Sequence, residues 1–241
     1  LTTKLILRRQ QNYNILQPYI HYEFNELGGG EGYLNTGTST GLSLSQYNNV
    51  SFVTDNNILN DGGTTASLDN SSSSYLGRNS FDIYDVYNNQ STKGITICCF
   101  VKKDVNFLNG NMIWYFSDTS TSISEFFYAQ LDNDNECNLR LYQNGVSKSV
   151  TIMPNNGTDT NGSTGFEINR WYHISLSISS TGYWTIYVDG IKIVVDSSGS
   201  SAEVYKHIED RSFSYFRIGR GTSSSSPNYY DGCIEDFRIY D

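Results

Sequence analysis

Three carboxylates alternate in the segment Asp132-Asn133-Asp134-Asn135-Glu136. On a β-strand they would share a face, and two carboxyls roughly 5–5.5 Å apart could run a retaining glycoside hydrolysis. The intervening positions are Asn133, Asn135 and then Cys137, so the run buries almost nothing. Asn and Asp favour turns because their side chains hydrogen-bond the local backbone, and a hairpin turn is the expected structure. No catalytic residue is assigned, and the chain is expected not to be an enzyme. Carbohydrate binding asks for other groups: an aromatic face for the C–H surface of a sugar and polar side chains for its hydroxyls. The candidates are Tyr128 and Gln130 on one predicted strand, Arg140 and Tyr142 on the next, Asp132 and Asp134 between them, and Tyr229 and Tyr230 near the final strand. Each tyrosine serves equally well as a half-buried strand residue. His173 has no carboxylate or nucleophile beside it in sequence and reads as strand surface. The glycines from Gly28 to Gly32 lack the following helix and Lys-Ser/Thr of a phosphate cradle, and read as a loop.

The elements that position these residues are read from period-two patterning. The clearest stretch runs from Asn169 to Val195. Ile174, Leu176 and Ile178 fall on one face, opposite His173, Ser175 and Ser177, and Trp184, Ile186 and Val188 repeat the spacing. Such alternation marks half-buried strands. Ser180-Thr181-Gly182 supplies one turn, and Asp189-Gly190 signals a two-residue hairpin whose central positions both need φ > 0. A three-strand antiparallel meander follows, with Trp171 and Trp184 expected in the core. Further strands are predicted at Tyr19–Phe24, around Val50–Val53, Ala66–Leu68, Tyr75–Leu76, Phe81–Ile83, Gly94–Lys102, Asn111–Phe116, Glu125–Leu131, Asn138–Gln143, Val150–Ile152, Phe213–Gly219 and Cys233–Tyr240. About a dozen short strands between polar turns, without a convincing helix, imply an all-β fold: an antiparallel β-sandwich or barrel.

Composition bounds the function. The 241 residues fit one large β-domain, and 19 Tyr and 12 Phe suit pleated, half-buried surfaces. A net charge of −9 excludes nucleic acid as the expected partner, since phosphate binding needs clustered Lys and Arg. No apolar run approaches the length of a membrane span, so membrane insertion is not expected. The chain opens without Met or a basic-then-apolar leader, as expected of a mature or excised segment. Residues 1–18 read as an N-terminal arm, with Lys4, Arg8 and Arg9 as a basic docking set in an otherwise acidic protein, and residues 19–241 as one domain. Cys98 and Cys99 are adjacent on a strand and point to opposite faces, too poorly placed to pair with each other. Buried free thiols are the expected state, with one long-range disulfide left open. Asn-x-Ser/Thr sequons at Asn49, Asn70, Asn89, Asn156 and Asn161 sit in predicted loops.

Four pieces in order carry a family resemblance: Ala66-Ser67-Leu68-Asp69 with Ser74-Tyr75-Leu76; Ile95 to Lys102; Arg170 to Ile174 with Tyr187-Val188-Asp189-Gly190; and Phe216 to Gly219 with Tyr230 to Tyr240. Together they resemble the laminin-G-like, concanavalin A-like lectin/glucanase jelly rolls over roughly residues 19–241, with Tyr22-Glu23-Phe24 as the first strand. Phe100 stands where such domains often carry Trp, and residues 35–61 look like an insertion. The resemblance implies a concanavalin A-like jelly roll and a binding or assembly module outside cells or on a virus particle. The partner would be a glycan or neighbouring proteins of an assembly; a glycoside hydrolase of the same fold is the alternative. Calcium is the one cofactor it implies, with Glu23 and Asp236 as a structural site and Asp118, Asp132 and Asp134 as rim ligands.

Overall fold

The computed structural model describes residues 17–24, 36–37, 42–54, 58, 64–79, 94–105, 111–118, 125–132, 136–143, 145–154, 165–193, 213–221 and 228–240. The arm with Lys4, Arg8 and Arg9, the Gly28–Gly32 loop, the Phe81–Ile83 strand and Asp134 lie outside these residues. The described residues form β1 (Ile20–Tyr22), β2 (Ser45–Tyr47), β3 (Ser51–Val53), β4 (Thr65–Leu68), β5 (Tyr75–Asn79), β6 (Ile95–Lys103), β7 (Asn111–Ser117) and β8 (Phe126–Leu131). They continue with β9 (Cys137–Gln143), β10 (Val146–Ile152), β11 (Trp171–Ile178), β12 (Trp184–Val188), β13 (Ile191–Lys192), β14 (Tyr215–Ile218) and β15 (Gly232–Tyr240).

These strands make two antiparallel sheets packed face to face as a sandwich. One runs β13-β12-β11-β6-β15-β4-β3, with β1 also on β15; the other runs β10-β9-β8-β7-β14-β5-β2. The predicted meander is β11 to β13, in the register Ile174↔Val188, Leu176↔Ile186 and Ile178↔Trp184. Asp189 and Gly190 both have positive φ, 51° and 77°, as the two-residue turn demands. Ile174, Leu176, Ile178, Trp184, Ile186 and Val188 are all buried, and they join Trp114, Phe116, Phe127, Leu139, Leu141, Phe216 and Phe237 in one continuous core between the sheets.

Two expectations change. Trp171 is half-buried on the outer face, because it pairs in register with Lys102 and so shares that residue's side of the sheet. The Lys102 ammonium lies 5.9 Å from its ring centroid, and Trp114 is the fully enclosed tryptophan instead. β10 begins at Val146, well before Val150; its first four residues are exposed, so no hydrophobic alternation announced it, and only its ladder with β9 makes it a strand. All four cysteines are free and buried, the state expected of them.

Candidate ligand-binding face

The outward side of the seven-stranded sheet gathers aromatic and cationic side chains. In β8, alternation turns Phe127, Ala129 and Leu131 into the core, which leaves Phe126, Tyr128 and Gln130 facing away from it. In β9, Cys137, Leu139 and Leu141 go inward and Asn138, Arg140 and Tyr142 outward. Register then sets rows across the sheet. One is Ser149, Arg140, Tyr128, Tyr115, Arg217 and Gly77; the next is Ser147, Tyr142, Phe126, Ser117, Tyr215 and Asn79.

The rings on this face stack as a ladder. Tyr115 and Tyr128 have centroids 6.1 Å apart, Tyr128 and Phe126 5.4 Å, and Phe126 and Tyr142 5.4 Å, with interplanar angles between 12° and 19°. The Arg140 guanidinium lies 5.4 Å from the Phe126 centroid, and its Nε donates to Ser147 Oγ at 3.0 Å. With Met112 these rings form an apolar cluster separate from the main core. Toward the other edge, Tyr47 stacks on Tyr75 at 4.4 Å, and Arg220 lies 4.7 Å from the Tyr75 centroid and 5.4 Å from that of Tyr229. Arg217 lies 5.4 Å from the Tyr215 centroid. Gly77 holds the next place in its row, where a Cβ would come within 3.2 Å of the Tyr75 ring and 3.4 Å of Arg217 Cγ. Burial depresses the Arg217 guanidinium and Arg220 adds to the effect, yet an arginine stays charged at neutral pH. The two rows contain no carboxylate.

Over residues 77–241 the chain matches the family model of the concanavalin A-like lectin/glucanases superfamily. The chain belongs to that superfamily. Comparison with curated protein sequences gives no significant match. Among solved structures, this superfamily member is similar to the receptor-binding domain of botulinum neurotoxin C/D mosaic serotype, at 13% identity and TM-score 0.59 over 93% of this chain and 48% of the other. The binding domain of botulinum neurotoxin DC in complex with rat synaptotagmin II gives 12% identity, TM-score 0.59 and coverages of 93% and 48%. A botulinum neurotoxin type C structure, a toxin whose cell entry depends upon interaction with two ganglioside molecules, gives 12%, 0.58, 93% and 47%. The chain spans about half the length of these structures, and at such identities the likeness concerns the fold.

Within this superfamily fold the sequence candidates separate. Tyr128, Gln130, Arg140 and Tyr142 come together on one face, and Tyr229 lies at its far end. Tyr230, expected beside it, is corrected to a core residue: it is 0% exposed and burial drives its hydroxyl pKa well up. Asp132 is engaged in its own turn, accepting from the Glu136 N–H at 3.0 Å and from Asn138 Nδ2 at 2.5 Å. Asp118 likewise closes the connection to β8, its Oδ1 accepting from the Glu125 N–H at 3.2 Å. Glu23 and Asp236 sit on the opposite sheet with His21 between them, Nδ1 3.3 Å from Glu23 and Nε2 2.6 Å from Asp236. Burial alone would raise the Asp236 carboxyl, but the His21 hydrogen bond and Arg238 outweigh it and hold it below the usual carboxylate range. Among the described residues no group of three His, Cys, Asp or Glu is arranged to hold a metal ion. His173, read as strand surface, is half-buried with its ring 4.8 Å from that of Phe100. Sequence reasoning missed Tyr47, Tyr75, Tyr115, Phe126, Arg217 and Arg220; the signal for Tyr115 and Arg217 was their alternation with Trp114, Phe116 and Phe216.

Proposed function

We propose that this chain is a non-catalytic carbohydrate-binding module that works outside the cell and takes its ligand on the outward face of the seven-stranded sheet. The observation that carries the reading is the ladder Tyr115, Tyr128, Phe126 and Tyr142, flanked by Arg140, Gln130 and Asn138. Tyr128 and Tyr142, the half-buried rings of the ladder, offer C–H surface contacts to sugar rings over the buried Tyr115 and Phe126, and the polar groups beside them suit hydroxyls. This set contains no carboxylate pair of the kind that glycoside hydrolysis uses, which favours binding over cleavage. The similar structures are receptor-binding domains, and one belongs to a toxin whose entry depends on gangliosides; both facts support a glycan or receptor partner.

A broad glycan array, run with calcium and again with a chelator, tests this. Binding should survive the chelator, since the proposed contacts use no metal, and Tyr128→Ala should weaken it about tenfold with the fold intact. Binding lost with the chelator would move the ligand to a calcium-bearing rim. No binding to any glycan would sink the reading and leave protein assembly, on a cell surface or a virion, as the function to examine.

A further inference from the structure

Arg217 is 8% exposed, and its Nη1 is sealed from solvent without a hydrogen-bond partner. Beside it, the Arg220 Nε is buried and equally unbonded. The groups that face Arg217 among the described residues are Arg220, Tyr75, Tyr115 and Tyr215, a second cation and three phenols. A guanidinium buried without a counter-charge is costly, and a like charge beside it adds to the cost. Strand pairing does not demand that cost: the ladders of β14 with β7 and β5 use backbone groups and form as well with an apolar residue at this position. What an arginine fork supplies is two parallel N–H donors matched to a planar carboxylate.

From this we infer that Arg217, aided by Arg220, receives the carboxylate of an acidic sugar bound along the aromatic ladder. The inference rests on the proposed carbohydrate face and specifies its ligand. Arg217 is in register with Tyr115, which is in register with Tyr128. Two strand spacings, about 10 Å, thus separate the cation from Tyr128, within the reach of a short oligosaccharide. The half-exposed Tyr215 ring beside the guanidinium is the side chain that gives way as the carboxylate enters.

The test uses two matched pairs of probes: sialyllactose with lactose, and a glucuronate-containing tetrasaccharide with its carboxyl-reduced form. Each is titrated into the wild type, Arg217→Met, Arg217→Lys and Tyr128→Ala. The wild type should prefer the acidic member of at least one pair by about ten- to a hundredfold. Arg217→Met should abolish the preference, keep the weak affinity for the neutral member, and melt no lower than the wild type because an unpaired buried charge is gone. Arg217→Lys should fold and keep only part of the preference, since an ammonium lacks the fork. Tyr128→Ala should weaken both members alike. Equal binding of acidic and neutral members would overturn the inference while leaving the carbohydrate face standing; no binding of any probe would remove its basis altogether. A clear fall in melting temperature for both Arg217 variants would show a structural role and overturn it too.

Discussion

Asp236→Asn probes the charged cluster of Asp236, His21 and Arg238 on the eight-stranded sheet, and its effect can be worked from the geometry. Asp236 Oδ1 accepts from His21 Nε2 at 2.6 Å and from Arg238 Nε at 2.8 Å. The carboxylate side chain is 10% exposed and that of His21 14%, so their hydrogen bond is shielded; Arg238, at 33%, is more open. A hydrogen bond to a charged group contributes about 1.5–3 kcal/mol, and the more solvated Arg238 contact adds less than about 1 kcal/mol. The amide keeps one acceptor oxygen and retains part of this, so the expected loss is about 2 kcal/mol near neutral pH. Asn is the right replacement because Asp236 sits in the β15 bulge with φ of 54°, a left-handed conformation that Asn adopts as readily as Asp. The carboxyl is depressed in the folded state, so its stabilisation is complete above the unfolded value of about 3.9 and is lost as pH falls through the lower folded value. Urea unfolding of both proteins at about pH 7 and about pH 3 reads this directly, with an expected midpoint shift of about 0.7 M at the higher pH for a slope of about 3 kcal/mol/M. A gap of the same size at both pH values would show that the loss is steric and refute the electrostatic account.

Other outcomes follow from burial and backbone. Burial pushes the Cys98 and Cys233 thiols up to about 11, and drives Cys99 and Cys137 up as well. The native protein should therefore leave a thiol reagent unreacted at neutral pH and titrate four thiols in denaturant; rapid labelling of one native cysteine would contradict the burial. Gly190→Ala and Gly232→Ala should differ sharply by thermal unfolding. Gly190 has φ of 77° with open space where a Cβ would go, so the cost is about 1–2 kcal/mol of backbone strain. Gly232 adds to its φ of 148° a Cβ position only 2.1 Å from the Lys102 carbonyl oxygen, so Gly232→Ala should disrupt the β15–β6 pairing and cost several times more. Leu141→Ala, at a fully enclosed site on β9, should cost about 2–5 kcal/mol in chemical denaturation without moving the outward Arg140 and Tyr142.

What could be read before the structure depended on whether the information was local. The meander was legible because Ile174 to Val188 alternates without interruption and Asp189-Gly190 fixes the reversal. Tyr128, Gln130, Arg140 and Tyr142 were legible for the same reason: β8 and β9 are joined by a short turn, so alternation in each puts the right side chains on a common face. β2 escaped because Ser45-Gln46-Tyr47 is only three residues with no buried side chain. Trp171 was misread because a large apolar side chain suggested core, while its parity with His173 and Ser175 already placed it outward.

Arg217 shows where such reading ends. Phe216-Arg217-Ile218 announces a strand with Arg217 facing away from the core, but nothing local says that β14 inserts between β7 and β5, whose partners of Phe216, Phe116 and Arg78, lie a hundred or more residues earlier. That insertion sets a cation among Tyr75, Tyr115 and Tyr215 and joins two groups of residues, one around Tyr128 and one around Tyr229, into a single face. Fold class depends on many alternating pairs and survives the loss of any one of them. A binding face depends on which strands become neighbours, and the neighbours of Arg217 on β7 and β5 lie about a hundred residues or more away in sequence.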